Sequence, residues 1–320
     1  MSAPASGLSA LAAGARPAGR YGIFGLLLVL LAVAATVEEF RTAVNLANVL
    51  KQSAVLGTLA LGQSFVVAGG MIDLSVGQLA GLVVVVTCDL MQGESAMTVP
   101  AVLLALGLGA AVGLINGTLN NRLRVHPLIL TFGMLSILQG VIFVYTDQSV
   151  GSVSPGFRRL ADGSVAGVPF AALLLAAAGL GAAFLLHRTR FGHHLLALGG
   201  SEENARRAGI DTGRVKLLAF VLSGLSAGVA GILLAGRLGT GYPNAGAGFE
   251  LDAIVAVVLG GTPLAGGRGT IAGTLAAVLV LGIASNLLNL LEVSAFVQML
   301  IKGLIVILAI LLNQPARGRA

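Results

Sequence analysis

The densest cluster of charged side chains in this sequence of 320 residues lies between Leu195 and Lys216. A serine precedes two acids there, and two arginines and a glycine follow them, which predicts a short helix over Glu202–Gly209. The first candidate site is therefore Ser201, Glu202, Glu203, Asn204, Ala205, Arg206, Arg207 and Gly209. Because long apolar runs flank this helix, its charges either fix the orientation of the chain or form a surface that docks on another protein.

A second candidate site is the carboxylate of Asp73, in the run Gly69-Gly70-Met71-Ile72-Asp73-Leu74-Ser75. The two glycines before Asp73 and the serine after it predict a break between two helical segments. Asp73 could cap the following segment, or Asp73 and Ser75 could contact a ligand directly. Asp252 opens another apolar run and leaves the same two possibilities open.

Side-chain amides form a third set of candidates, because they occur inside apolar runs. Gln63, Asn116, Gln139 and Asn286 are the members of this set. Amides both donate and accept hydrogen bonds, which suits a neutral polyhydroxy ligand. The alternative for each residue is a hydrogen bond between two helices. Since the sequence places neither a second histidine nor a carboxylate beside His126, it does not favour a metal site.

The glycine-rich run Gly260–Thr270, with the sequence GGTPLAGGRGT, resembles a phosphate-binding loop. That motif requires a lysine, and the equivalent position counted from Gly261 holds Gly267. The run also lacks the preceding strand that such a loop needs. We therefore predict a glycine-rich turn between two helices, and no nucleotide or other cofactor site in this chain.

The composition indicates what kind of protein must position these residues. Of all residues 56% are hydrophobic and only 10% are charged, whereas a soluble domain has about 25% charged residues. The chain contains no Trp and three Tyr, which argues against a β-barrel with aromatic girdles. The net charge of +6 is divided among the connections between apolar runs, so nucleic-acid binding is not expected. The sequence predicts an all-α polytopic membrane protein.

Ten transmembrane helices are predicted, some of them broken or re-entrant. The predicted spans are 21–37, 50–70, 75–91, 99–117, 128–146, 167–187, 216–236, 250–265, 270–290 and 296–313. Because most of the 19 Lys and Arg residues then lie on one side, both termini are expected in the cytoplasm. We expect disordered cytoplasmic tails at 1–20 and 314–320 and one membrane domain at 21–313, with a charged cytoplasmic loop at 188–216.

Glycines recur at intervals of four residues in several spans. The series are Gly77/Gly81, Gly109/Gly113/Gly117, Gly224/Gly228 and Gly269/Gly273. Small residues on one face of a helix allow two helix backbones to approach closely in a membrane. This spacing therefore predicts tight helix packing and contains no information about a ligand.

Several motifs resemble the permease subunits of bacterial ABC importers in the ribose/xylose-type monosaccharide family. They are Ile72-Asp73-Leu74-Ser75-Val76-Gly77, Asn116-Gly117, Leu123-Arg124-Val125-His126-Pro127, Ala197-Leu198-Gly199, Asn204-Ala205-Arg206-Arg207-Ala208-Gly209-Ile210, Glu250-Leu251-Asp252-Ala253-Ile254, Gly260-Gly261-Thr262 and Gly266-Gly267-Arg268-Gly269. They occur in the expected order over most of the chain. Two positions depart from the family pattern: Met71 stands where glycine is usual and His126 where proline is common.

The resemblance implies a bacterial inner-membrane subunit that is not itself an enzyme. Its implied partners are a second permease subunit, two cytoplasmic ATP-binding cassette subunits that bind ATP and Mg²⁺, and a periplasmic solute-binding protein. It also implies that Glu202–Gly209 is the coupling helix, which receives movement from the ATP-binding subunits. The residues Gln63, Asp73, Ser75, Asn116, Gln139, Asp252 and Asn286 are then candidates for the translocation path.

Alternatives to this interpretation remain open in the sequence. An ion-coupled secondary carrier also uses broken helices, although few acids occur within the spans of this chain. A passive channel is a weaker alternative, because no sequence typical of a selectivity filter is present. Within the importer interpretation the solute could be a monosaccharide, a branched-chain amino acid or a nucleoside.

Overall fold

The computed structural model describes residues 18–123, 125–294, 296–298, 300–301 and 303–304. The helices within these residues are α1 Ala18–Ala34, α2 Ala43–Ala68, α3 Val76–Met91, α4 Thr98–Leu123, α5 Pro127–Tyr145, α6 Pro155–Asp162, α7 Phe170–Arg188, α8 Arg190–Gly200, α9 Glu202–Arg207, α10 Thr212–Leu238, α11 Phe249–Leu259 and α12 Ile271–Leu290. Short 3₁₀ turns occur at Glu39–Arg41 and Ser95–Met97. Arg124, residues 1–17 of the predicted N-terminal tail, the C-terminal tail at 314–320 and most of the last predicted span lie outside the described residues.

Five described helices are long and apolar enough to cross a membrane. They are Ser95–Leu123, Pro127–Tyr145, Phe170–Arg188, Thr212–Leu238 and Ile271–Leu290. Shorter apolar helices cover Gly22–Ala34 and Val76–Met91. α2 has 26 residues and is long enough to span, but it contains Lys51 and Gln63. The described chain is thus a mainly helical membrane protein, and its strands are the two-residue pair β1 Ser164–Val165 and β2 Val168–Pro169.

The centre of the bundle is α10, which packs against α2, α3 and α4. Its closest contact is with α4, where the predicted glycine series lie face to face. A Cβ atom at Gly109 would lie 2.5 Å from the carbonyl oxygen of Gly224, and one at Gly113 would collide with the main chain of Phe220. The backbones touch because these positions lack side chains, which confirms the prediction of close helix packing.

Two interruptions of helical structure shape the bundle. α2 ends at Ala68, and residues 69–75 form a non-helical segment before α3 begins at Val76. Gly70 has φ +75°, a value that glycine adopts without strain. We call residues Gly69–Ser75 the unwound segment.

The second interruption consists of the non-helical connections before and after α11, which has only 11 residues. The span predicted at 250–265 is therefore not one helix: α11 ends at Leu259, and Gly261 has φ +96°. Gly246 in the preceding connection lies against the main chain of Gly77 and Gly81. This backbone can be non-helical inside the bundle because protein atoms cover it.

The connections predicted on opposite sides of the membrane lie at opposite ends of the bundle. At one end, which we call the α9 end, the last turn of α4 and the first residues of α5 lie near α9 and the loop after α11. At the other end, Val150 pairs with Gly241, Gly93 N donates to Ser152 O, and Lys51 forms an ion pair with Asp162 at 3.0 Å. The long connection 147–168 is thus folded, with α6 inside it.

Candidate functional site

The charged helix α9 has the caps that its sequence predicts. The side chain of Ser201 accepts a hydrogen bond from Asn204 N at 3.3 Å at the start of the helix. At its end Ile210 N donates to Ala205 O and Gly209 N to Arg206 O, while Gly209 has φ +82°. This is a Schellman motif, in which a left-handed glycine satisfies the last carbonyl groups. Local sequence alone is thus sufficient to specify both ends of α9.

One face of α9 is anchored to α10 and the other is free. Lys216 Nζ on α10 donates to both carboxylate oxygens of Glu202, at 2.7 and 2.8 Å, and Ala205 of α9 is buried. Arg206 pairs with Glu202 and Arg207 with Glu203 along the helix, and both arginine side chains are at least 70% exposed. α9 therefore presents Glu203, Arg206 and Arg207 outward while Glu202 connects it to α10.

The ion pairs change the pKa of Glu202. Partial burial alone would raise this pKa, but Lys216 and Arg206 together outweigh burial and hold it below its ordinary value. The carboxylate of Glu202 therefore remains charged throughout the neutral pH range, and so does its contact with Lys216.

A cavity of about 860 Å³ separates α9 from the helix ends beside it. Its lining includes Glu202, Arg206 and Lys216 together with Asn120 and His126. Gly69–Met71, the start of the unwound segment, also lines the cavity. A movement of α9 would thus change the shape of a cavity that reaches the unwound segment.

A second group of candidate residues forms a buried polar cluster around Asp73. Asp73 Oδ1 accepts hydrogen bonds from Ser75 N at 3.0 Å and from Ser75 Oγ at 2.6 Å. Asp73 Oδ2 accepts from Ser223 Oγ of α10 at 3.0 Å. Asn116 Nδ2 of α4 donates to Ser75 Oγ at 2.9 Å. We call Asp73, Ser75, Asn116 and Ser223 the Asp73 cluster; each is at most 1% exposed.

Two further side chains hold the main chain of the unwound segment. Gln63 of α2 lies beside Asp73, and with its amide oriented by its neighbours it donates to Asp73 O at 3.2 Å and accepts from Asp73 N at 3.3 Å. Thr131 of α5 accepts from Leu74 N at 3.1 Å and donates to Ile72 O at the same distance. Helices α2 and α5 thus supply main-chain hydrogen bonds that this segment lacks as a non-helical chain, while α4 and α10 bond to its side chains.

Gln63, Asp73, Ser75 and Asn116 are four of the seven path candidates from the sequence, and the structure places these four close together. Sequence reasoning missed Thr131 and Ser223. Both missed residues are hydroxyl side chains in long apolar runs. That is a weak signal, because serine and threonine often bond to their own helix backbone. Asp73 forms a local turn with Ser75, the N-cap residue of α3, and among the described residues no side chain caps that helix.

The remaining path candidates lie elsewhere. Asn286 and Asn45 exchange two amide hydrogen bonds at 2.8 and 2.9 Å, so Asn286 joins α12 to α2. Asp252 lines a separate cavity of about 490 Å³ beside Ser53 and Leu281. Gln139 is partly buried on α5. The structure does not bring these three residues to the Asp73 cluster.

Main-chain atoms of other segments pack directly against the glycine-rich run before α12. Gly267 N donates to Ala68 O at 3.0 Å. A Cβ atom at Gly266 would collide with main-chain atoms of Gly70 and Gly199. The glycines of this run therefore permit close contact between three connections at the α9 end. Within the described residues, no group of three or more His, Cys, Asp or Glu side chains could hold a metal ion.

Comparison with known proteins supplies the decisive observation about family. A family model described as "branched-chain amino acid transport system / permease component" matches residues 45–310. The chain belongs to this permease family. The ribose import permease protein RbsC of Escherichia coli (strain K12) is 42% identical over 295 residues, which are 90% of this chain and 91% of that protein.

Two other relatives are permeases named for sugars other than ribose. The L-arabinose ABC transporter permease protein AraH of Azospirillum brasilense is 37% identical over 94% of this chain and 89% of its own. The D-allose transport system permease protein AlsC of Escherichia coli (strain K12) is 35% identical over 92% of this chain and 91% of its own. No solved structure matches the chain. The family makes this chain a multi-pass inner-membrane permease subunit of an ABC importer, which works with a separate ATPase subunit and a solute-binding protein.

Proposed function

We propose that this permease translocates a neutral monosaccharide that a periplasmic binding protein delivers. The observation that carries this proposal is the identity of 35–42% with permeases named for ribose, arabinose and allose, over at least 90% of this chain. The description of the matching family, by contrast, refers to branched-chain amino acids. We give the named relatives more weight, because each of them covers nearly the whole chain.

The chemistry of the buried side chains supports a neutral solute. A branched-chain amino acid carries both an ammonium and a carboxylate group, and each needs an opposite charge in a dry environment. Within the described part of the chain, Asp73 is the only Asp, Glu, Lys or Arg that is buried. Its oxygens already accept hydrogen bonds from Ser75 and Ser223. Hydroxyl and amide groups suit a sugar better.

In this proposal α9 is the coupling helix. Its exposed side chains Glu203, Asn204, Arg206 and Arg207 dock on the ATPase subunit, while Glu202 and Ala205 transmit movement to α10. Ser201 and Gly209 fix the two ends of the helix, so that the docking surface moves as one unit. The support for these roles is that one face of α9 is exposed and the other is anchored.

The proposed assembly contains two permease subunits, each with ten spans and both termini in the cytoplasm. The α9 end then faces the cytoplasm. The carboxyl, hydroxyl and amide groups around the unwound segment and along α5, α11 and α12 are the candidates for the solute path, with lipid around the outer faces of the helices. The residues proposed for this path are Gln63, Asp73, Ser75, Asn116, Gln139, Asp252 and Asn286.

Charge reversal on the exposed face of α9 tests the coupling role. The double variant Arg206→Glu/Arg207→Glu should remain in the membrane, but loaded binding protein should no longer stimulate ATP hydrolysis or drive uptake in proteoliposomes. Arg214→Glu is the matched control, because Arg214 is an exposed arginine near α9 that lies outside it. Undiminished uptake by the double variant would remove the coupling assignment.

A solute panel tests the substrate. Proteoliposomes that contain the permease and its ATPase, supplied with the cognate binding protein, should take up one of ribose, arabinose or allose, and not leucine. Uptake of leucine would favour the branched-chain amino acid function named by the family. Uptake by the permease alone in an ion gradient would instead indicate a secondary carrier.

A further inference from the structure

One helix connects the two sites described above. α10 carries Lys216, which binds Glu202 of α9, and Ser223, which binds Asp73 of the unwound segment. Ser223 lies about two turns, or ~10 Å, further along α10 than Lys216, so both project from the same side of the helix. A rigid displacement of α10 would therefore change the distance between Ser223 and Asp73.

The unwound segment is suited to respond to such a displacement. Its main chain is not held by a regular hydrogen-bond ladder, but by single side chains such as Gln63 and Thr131. Gly70 at its start has φ +75° and permits rotation that other residues resist. A loss of one or two hydrogen bonds can thus move this segment without unfolding a helix.

The Asp73 cluster also contains an unsatisfied acceptor. Asn116 Oδ1 is buried and has no hydrogen-bond partner in the described part of the chain. A buried acceptor without a partner destabilises the conformation that contains it. A second arrangement of the cluster, in which a neighbouring hydroxyl group turns to Asn116 Oδ1, would remove this cost. Two arrangements of similar free energy are what a switching element needs.

We propose that Ser223 is a positioning residue that transmits movement of α10 to the unwound segment. This proposal rests on the proposed function of α9 as the coupling helix. In one state Ser223 donates to Asp73 and holds the segment against α10. When the ATPase displaces α9, α10 follows through the Glu202–Lys216 ion pair, and the bond between Ser223 and Asp73 breaks. The segment, which lines the cavity at the α9 end, then rearranges.

The test measures the number of solute molecules imported per ATP hydrolysed. Ser223→Ala should lower this ratio about fivefold, because the signal from α9 no longer reaches the segment. Ser223→Thr keeps the hydroxyl group and should restore most of the ratio. Ser226→Ala is the matched control: Ser226 lies on the same helix beside Gly62, has no hydrogen bond to the unwound segment in the described chain, and should leave the ratio unchanged.

A second pair of variants guards against loss of folding when Ser223→Ala leaves a buried carboxyl oxygen of Asp73 without a partner. Asp73→Asn keeps the contact, since the new amide can donate to Ser223 Oγ, and its ratio is the reference for the double variant, because any effect of Asp73 on the solute path is common to both. Asp73→Asn/Ser223→Ala removes the contact without a buried charge and should lose coupling. The same ratio in both of these variants would overturn the proposal, as would normal coupling in Ser223→Ala.

The outcome is separable from that of the α9 variants. If Arg206→Glu/Arg207→Glu abolishes coupling while Ser223→Ala does not, the coupling helix stands and the role of Ser223 falls. If the arginine variant imports normally, the proposed function of α9 falls, and the proposed transmission through Ser223 falls with it.

Discussion

Lys216 Nζ donates hydrogen bonds to both carboxylate oxygens of Glu202, at 2.7 and 2.8 Å, and so connects α9 to the first turns of α10. The lysine side chain is only 17% exposed, whereas the glutamate is 40% exposed. The contact thus lies at the boundary between the bundle and the solvent. Among the described residues, this ion pair joins α9 to α10.

Lys216→Met should weaken the attachment of α9. The change removes a charged hydrogen bond that is partly screened by solvent, and should lower the free energy of attachment by about 1 kcal/mol. Spin labels at Asn204 and Leu218 should then show a broader distribution of distances. Lys216→Arg keeps a charged donor and should resemble the unchanged protein; an equal broadening in both variants would contradict this role.

The attachment of α9 to α10 should weaken at acidic pH and not near neutral pH. Because the pKa of folded Glu202 lies below the ordinary glutamate value of 4.5, the ion pair contributes stability above that value, and this stability is lost as the pH falls through the folded pKa. The label distances should thus stay constant from neutral pH down to about 4.5 and broaden only below it. In Lys216→Met, which lacks the ion pair, the distances should already be broad at neutral pH and should change little as the pH falls. A transition near neutral pH would be inconsistent with the lowered pKa.

Gly109→Ala should destabilise the bundle through the contact between α4 and α10. The added Cβ would lie 2.5 Å from the carbonyl oxygen of Gly224, so that one backbone must shift, at a cost of about 1–3 kcal/mol. Thermal unfolding in detergent should occur at a lower temperature. Gly107→Ala on the same helix is the control, because its Cβ would meet open space. Equal unfolding temperatures for the two variants would show that the contact is not tight.

Gly209→Ala should loosen the end of α9. Gly209 has φ +82°, and a left-handed alanine is less stable than glycine by about 1 kcal/mol. Amide hydrogens of Ala208 to Ile210 should exchange with solvent severalfold faster. Gly200→Ala provides the comparison, since a Cβ at Gly200 has no atom within 4 Å and that glycine ends α8 without a positive φ. Unchanged exchange in Gly209→Ala would mean that the cap is held by other contacts.

Local patterns in the sequence predicted the features that depend on neighbouring or regularly spaced residues. The capping serine, the acid–arginine order and Gly209 specified α9, and the spacing of Gly109, Gly113 and Gly224 specified a close helix contact. The span predicted at 75–91 differs from α3 by one residue at its start. These features depend on residues that are near each other in sequence or repeat along a helix.

Other features depend on contacts that no local pattern contains. Ser223 and Asp73 are 150 residues apart, and nothing around Ser223 distinguishes it from Ser226. Likewise the sequence left open whether Asn286 contacts a ligand or another helix, and could not identify Asn45 as its partner on a distant helix. The turn predicted at Gly260–Thr270 is present, whereas the span predicted at 250–265 overlapped it and extended beyond the end of α11 at Leu259. Only the packed bundle decides which polar groups meet.

The glycine contact between α4 and α10 has a consequence for how the protein is made. The two helices lie in opposite halves of the sequence, so α4 enters the membrane long before its partner is synthesised. Until then its glycine face can meet only lipid, which gives no comparable packing. A nascent chain that stops before α10 should consequently remain an open assembly and a target for membrane proteases, and synthesis of α10 is the step at which the bundle closes.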